Sequence, residues 1–287
     1  MPHTHPAHTH HTTDHPADSA ALAEILELDA QALAEHTAAV IAWLPVRATP
    51  RAIVDLGAGT GAGTFALLGQ FPDAYVRAVD SSVDHLARLR GKACATGLTG
   101  RIDTIAADLD AGTWPDLGTP DLVWASASLH HLADPVGALG KVGTALDPDG
   151  LLAVVELAGL PRFLPPAAPA ERPGLEDRCH DAADALHAGH LPHRGADWAP
   201  LLSAAGLTVE DVRTFVIEVP AAENPAVGRY ALATLRQLRE RVAAMIPAED
   251  HTALDRLLDT TGPHSILDRT DLALRTERTV WAARRTA

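Results

Sequence analysis

The sequence predicts an open α/β fold, a doubly wound and mostly parallel sheet with helices on both faces. Three observations point to it: short β-prone runs alternate with stretches long enough for crossover helices, a glycine-rich turn follows the first run, and no internal repeat or heptad is visible. The runs fall at 52–56, 76–79, 102–106, 122–125 and 151–155, with helical patterning at 83–95 and 135–146 between them. A strand, helix, strand order implies parallel pairing, because right-handed crossovers pack back onto the sheet. Two later runs, 207–219 and 274–283, alternate like strands of a mixed or antiparallel edge.

Five regions are expected along the chain. Residues 1–18 carry His3, His5, His8, His10, His11 and His15 among Pro, Thr and Ala, a composition with nothing to bury, and read as a disordered tail. Imidazole is a good ligand for Zn, Ni or Cu, so weak metal binding is the functional reading of that tail. Residues 19–50 form one or two helices, with Leu22, Ile25, Leu26, Leu33, Val40, Ile41 and Leu44 at helical spacing and Ser19 as N-cap. The core is expected at 51–157 and a helical cap at 158–200. The C-terminal strands occupy 201–287, interrupted by a helical insertion at about 223–259.

Composition narrows the partners. The formal charge of −14, with Lys92 and Lys141 the only lysines, argues against partners bound through phosphate neutralisation, so neither nucleic acid nor an anionic membrane is expected. Cys94 and Cys179 lie far apart, and no apolar run of membrane-spanning length is present. The expectation is a cytoplasmic protein with free thiols.

The chemistry is concentrated at Val54-Asp55-Leu56-Gly57-Ala58-Gly59-Thr60-Gly61, an apolar strand entering a glycine turn that opens a helix. Glycines there permit positive φ and let a ligand approach the backbone, while the free N–H groups of the helix start favour negative charge. Gly57-x-Gly59-x-x-Ala62 also satisfies the dinucleotide fingerprint, with Asp80 where that pattern places its ribose acid, so an NAD-dependent oxidoreductase stays open at this point. No Tyr-x-x-x-Lys accompanies it. A non-catalytic ligand- or metal-binding protein is the third reading. Asp55, two residues before the first glycine, suits a ligand with cationic groups better than a pyrophosphate.

The glycine segment resembles the first motif of the class I S-adenosylmethionine (SAM)-dependent methyltransferases. Ala78-Val79-Asp80-Ser81, Ala106-Ala107-Asp108-Leu109, Asp121-Leu122-Val123-Trp124-Ala125-Ser126 and Leu146-Asp147-Pro148-Asp149-Gly150-Leu151 resemble its later elements in the family's order, although Asp149 replaces a more usual glycine. The resemblance implies a Rossmann-like sheet of seven strands with the last antiparallel, SAM as cofactor and a small-molecule acceptor methylated on O or N. It implies donor contacts from Asp55, Gly57, Ala58, Gly59, Gly61, Asp80, Ser81, Asp108, Leu109 and Ser126. A carboxylate at Asp80 accepts two hydrogen bonds from a ribose diol, and one at Asp108 accepts from an adenine amine.

Acceptor-side candidates are those at the carboxyl ends of strands, where open α/β sheets bind ligands. His130 or His131 is expected as a base or acceptor contact, and Glu156 as an acceptor contact or a tie to backbone amides. Arg229 and Tyr230 are further pocket candidates. On a helix near 175–187, Asp177, His180, Asp181, Asp184 and His187 are expected on the polar face, opposite Leu175, Cys179, Ala182 and Leu186.

Overall fold

A computed structural model of the chain describes residues 16–187 and 193–286. The expected tail up to residue 15, and His190 in the expected cap region, lie outside the described residues. Two helices come first, α1 (Pro16–Ala32) and α2 (Ala34–Trp43). Proline is compatible with a helix's first turn, so α1 begins before Ser19, and the N-cap expected there is corrected to a position inside the helix.

The alternating core follows as β1 (Ala52–Leu56), α3 (Ala62–Gln70), β2 (Tyr75–Asp80), α4 (Val83–Ala95), β3 (Ile102–Ala106), β4 (Leu122–Ser126), α5 (Pro135–Ala145) and β5 (Leu151–Leu157). Two devices start its helices: Ser82 Oγ accepts the His85 amide at α4, and Asp134 accepts the Gly137 amide beside Pro135 at α5. The chain continues through α6 (Leu175–His187), α7 (Ala199–Ala204), β6 (Leu207–Pro220), α8 (Ala226–Arg241), α9 (Ala248–Leu258) and β7 (Ala273–Arg285).

The seven strands form one sheet in the order β3-β2-β1-β4-β5-β7-β6. β7 runs antiparallel to both neighbours and every other pairing is parallel, as the resemblance implies. The order reverses between β1 and β4, which opens a crevice at their carboxyl ends. Central strands read as continuous apolar runs because helices cover both faces: Ile53, Leu56, Leu122, Val123, Ala125, Leu152 and Val154 are at most 1% exposed. Each such leucine or valine contributes about 2 kcal/mol of burial.

A separate apolar cluster builds the cap. Leu28 of α1 and Leu33, at the junction of α1 and α2, pack with Phe163, Leu175 and Cys179, with Tyr230 and Leu235 of α8, and with Leu254 of α9. On α6 Asp177, Asp181 and Asp184 are exposed as expected, and the placing of His180 with them is corrected. His180 is 2% exposed and lies on the buried face beside Glu176, whose carboxylate accepts the amides of Phe163 and Leu164 at 2.8–3.0 Å. Leu186, expected on the apolar face, is exposed. Tyr230 and Arg229 also serve the cap: Tyr230 donates to Asp29 at 2.7 Å and Arg229 to Gln31 at 3.2 Å.

Among the described residues no helix is long and apolar enough to cross a membrane, and no group of three or more His, Cys, Asp or Glu side chains is placed to hold a metal. Asp250 of α9 is fully buried between Arg172 and Arg178, both about a third exposed, and the Arg178 guanidinium holds its carboxyl below the usual range. Removing it leaves two facing guanidiniums. Asp250→Ala is expected to lower unfolding free energy by about 2 kcal/mol in denaturant titration, less than for a fully buried pair because water reaches both arginines.

Candidate active site

The crevice at the switch of strand order holds a cavity of about 640 Å³. Its floor is the β1–α3 turn. Val79 accepts the amides of Gly57 (2.8 Å) and Ala58 (3.0 Å), and Asp80 Oδ2 accepts that of Gly59 (2.8 Å), so β2 pins the turn. Gly57 is required twice over. Its φ is +70°, and a Cβ there would lie 2.3 Å from Ser128 Cβ.

Asp80 stands at the carboxyl end of β2 and lines the cavity. Burial pushes its pKa up, but the His85 ring and the amides of Ser82 and Gly59 outweigh that and hold the carboxylate below its usual range. Asp55 has the opposite environment. It is 2% exposed on β1, and burial pushes its pKa up to about 7 against hydrogen bonding from Thr64, whose Oγ1 donates at 2.6 Å and whose backbone amide also lowers it, with the Asp80 charge adding to the rise.

Of the residues expected from sequence, Asp55, Gly57, Ala58, Gly59, Asp80, Ser81, Asp108, Leu109, Ser126 and His131 line this one cavity. Gly61, His130 and Glu156 are not in its wall. Gly61 caps α3 at φ +98°, where a Cβ would meet Leu89 and Phe65 at 2.9 Å. His130 and Glu156, each 2% exposed, form a buried pair with Nδ1 and Oε2 2.6 Å apart. Glu156 Oε1 also accepts the amides of Leu129 and His130 at 3.1 and 3.3 Å. The pair ties the turn after β4 to β5, and this turn carries Ser126, Ala127, Ser128 and His131 into the cavity wall.

The roof comes from residues that sequence reasoning did not select as a site. Leu22, Leu26, Asp29, Leu33, His36 and Val40 recur at alternating four- and three-residue steps, one stripe along α1 and α2 facing the cavity. Glu27 holds this roof to the floor, at 2.5 Å from Lys92, whose Nζ also donates to the Thr60 carbonyl at 2.9 Å. Asp29 accepts from Arg278 at 2.9 Å, and Arg278, Gln237 and Ile217 close the far side. The signal was present in the stripe, since Asp29 and His36 are its two polar members. The partners of Asp29, Tyr230 and Arg278, stand far along the chain.

Asp55 sets a pH dependence. Its pKa is about 7 folded against 3.8 unfolded, so the stability of its protonated form is fully present below about pH 4 and is lost as pH rises towards 7. In ligand-free protein, thermal melts of wild type should fall by several degrees more between pH 5 and 7.5 than those of Asp55→Asn. Equal slopes would contradict the burial argument.

Comparison with known proteins accords with this geometry. Residues 54–152 match a family model described as a methyltransferase domain. The trans-aconitate 2-methyltransferase of Variovorax paradoxus is 30% identical over 230 residues, covering 78% of this chain and 83% of that protein. That of Methylobacterium radiotolerans is 36% identical over 118 residues, 41% of this chain, and the match spans only 42% of its length. The SAM-dependent methyltransferase of Thiobacillus denitrificans, solved with S-adenosyl-L-homocysteine, shares the fold at a TM-score of 0.51 and 17% identity, covering 88% of this chain and 91% of that one. The pinned glycine turn, the strand order and these relatives together show that the chain belongs to the class I SAM-dependent methyltransferases.

Proposed function

We propose that this chain transfers the methyl group of SAM to an oxygen or nitrogen of a small-molecule acceptor. The observation that carries this reading is that a single cavity runs from the glycine turn, Asp80 and Asp108 to Arg278, Gln237 and Ile217, so donor and acceptor would share one space. The residues present fit the donor. The turn offers backbone where a Cβ at Gly57 would collide, and Thr60 Oγ1, in the cavity wall, is buried without a partner. Asp80 would accept from the ribose hydroxyls, Asp108 from the adenine amine, and Asp55 would face the cationic amino-acid end, with Ala58, Gly59, Ser81, Leu109 and Ser126 completing the contacts.

When bound, the sulfonium supplies an already activated methyl group, so the chain's task is alignment and exclusion of water rather than a catalytic triad. The α1–α2 roof closes the space above the floor, and the turn held by Glu156 fixes its wall beside β4. His131 is the sequence-expected histidine within reach of an acceptor, and imidazole suits a proton acceptor near neutral pH. His130 and Glu156 act through the turn instead.

Arg278 is the cationic group on the acceptor side, with a side chain 11% exposed. It supports an acceptor bearing a carboxylate, as does the trans-aconitate for which the relatives are named. Transfer from labelled SAM to trans-aconitate, other di- and tricarboxylates and neutral amines tests the reading. Arg278→Gln is expected to raise KM for a carboxylate acceptor about tenfold or more while S-adenosylhomocysteine binding stays unchanged. Transfer to amines alone, insensitive to Arg278, would contradict the carboxylate assignment.

A further inference from the structure

Beside Arg278, where β5 ends, the chain carries a second guanidinium whose donors are idle. Arg194 is half-buried, and its Nε and Nη1 are buried without a hydrogen-bond partner among the described residues. A guanidinium has five N–H donors and no acceptor capacity, so only an acceptor can satisfy it. Buried donors left unpaired are costly, about 1–3 kcal/mol each.

The backbone brings Arg194 to the acceptor side of the cavity. Leu157 of β5 lies opposite Arg278 of β7 in the antiparallel register, and the next residue, Ala158, donates its amide to the Glu277 carbonyl at 3.4 Å. The segment that carries Arg194 crosses the chain at this point: a Cβ on Gly195 would lie 3.0 Å from the Ala158 carbonyl oxygen. α8 approaches as well. Its Gln237 lines the cavity, and Arg241, one turn further along the same helix face, is exposed at the helix end.

Three elements direct charge at Arg194: α8 through Arg241, α6 through Asp184, and β5 through Glu156. Burial pushes the Arg194 pKa down and the Arg241 charge adds to the fall, outweighing the opposing charges of Asp184 and Glu156. Glu156 is already committed to His130 and to two backbone amides, and neither acid accepts from Nε or Nη1. Arg278, by contrast, already has Asp29 at 2.9 Å. A local excess of positive charge therefore stands beside the acceptor space of a chain whose formal net charge is −14 and whose overall field repels anions.

We propose that Arg194, with Arg241 beside it, binds a second carboxylate of the acceptor, so that the chain selects small acceptors carrying at least two carboxylates, one near Arg278 and one at Arg194. This rests on the carboxylate reading above and deepens it. A planar fork of N–H donors matches the two oxygens of a carboxylate, which gives the contact direction as well as charge.

The test is calorimetric titration of trans-aconitate and of the monocarboxylate crotonate into the full chain saturated with S-adenosylhomocysteine, as wild type, Arg194→Gln and Arg194→Lys. Wild type should bind trans-aconitate at least about tenfold more tightly than crotonate. Arg194→Gln should lose about tenfold for trans-aconitate and little for crotonate, with affinity for S-adenosylhomocysteine unchanged. Arg194→Lys, which keeps the charge and loses the fork, should lose less in the same pattern. Equal weakening of both carboxylates in Arg194→Gln would overturn the proposal, because it would mark a packing effect. Binding of trans-aconitate indifferent to Arg194 would overturn it while leaving the carboxylate reading standing. Binding of neither carboxylate by wild type would overturn the carboxylate reading itself.

Discussion

The site depends on how β2 holds the turn between β1 and α3. Five consecutive residues of that turn must leave a strand, reverse, and enter a helix with backbone N–H groups facing outward, a path that only closely spaced glycines follow without collision. Left alone, such a glycine-rich segment has the largest conformational entropy to lose. Here the Val79 carbonyl takes two of its amides and the Asp80 carboxylate a third. The acid expected to meet a ribose thus already organises the loop that would bind the rest of the ligand. His85 and the Ser82 amide keep it ionised for both purposes.

From that anchor the remaining architecture follows in layers. α3 leaves the turn over Asp55 and Trp124, α2 packs on α3, and α1 reaches back so that Glu27 meets Lys92, which also holds the Thr60 carbonyl. The roof is therefore fastened to the floor by a cation that grips both. On its other side α1 packs into the cap through Leu28 and is tied by Asp29 to Tyr230 and Arg278. The fold alone leaves the reaction open, since function belongs to sites grafted onto common architectures. What this cavity presents is a glycine turn with Asp55 and Asp80 on one side and the Arg278 guanidinium, paired with Asp29, on the other.

The sheet was legible in the sequence because its signals are local. β1 and β3 agree with the expected runs at both ends, since each is a short β-prone run bounded by residues that cannot continue it. The cavity floor was legible for the same reason, as strand, glycines and terminal acids are close in sequence. What escaped depends on tertiary partners. His130 and His131 are neighbours in sequence, yet one is buried against Glu156 and the other faces the cavity, a difference set by the turn after β4. His180 joins the buried face of α6 beside Glu176, whose carboxylate must satisfy the amides of a distant loop, overriding the polarity pattern of the helix. Arg278 stands 249 residues from Asp29, and no spacing rule connects them.

The most direct test of the donor assignment is calorimetric titration of wild type and Asp80→Asn with S-adenosylhomocysteine and with NAD. The account predicts binding of the adenosyl ligand but not NAD in wild type, and marked weakening in the variant, which loses a charged acceptor for the ribose and loosens the Gly59 amide together. Binding of NAD in preference, or an affinity for S-adenosylhomocysteine indifferent to Asp80, would contradict it.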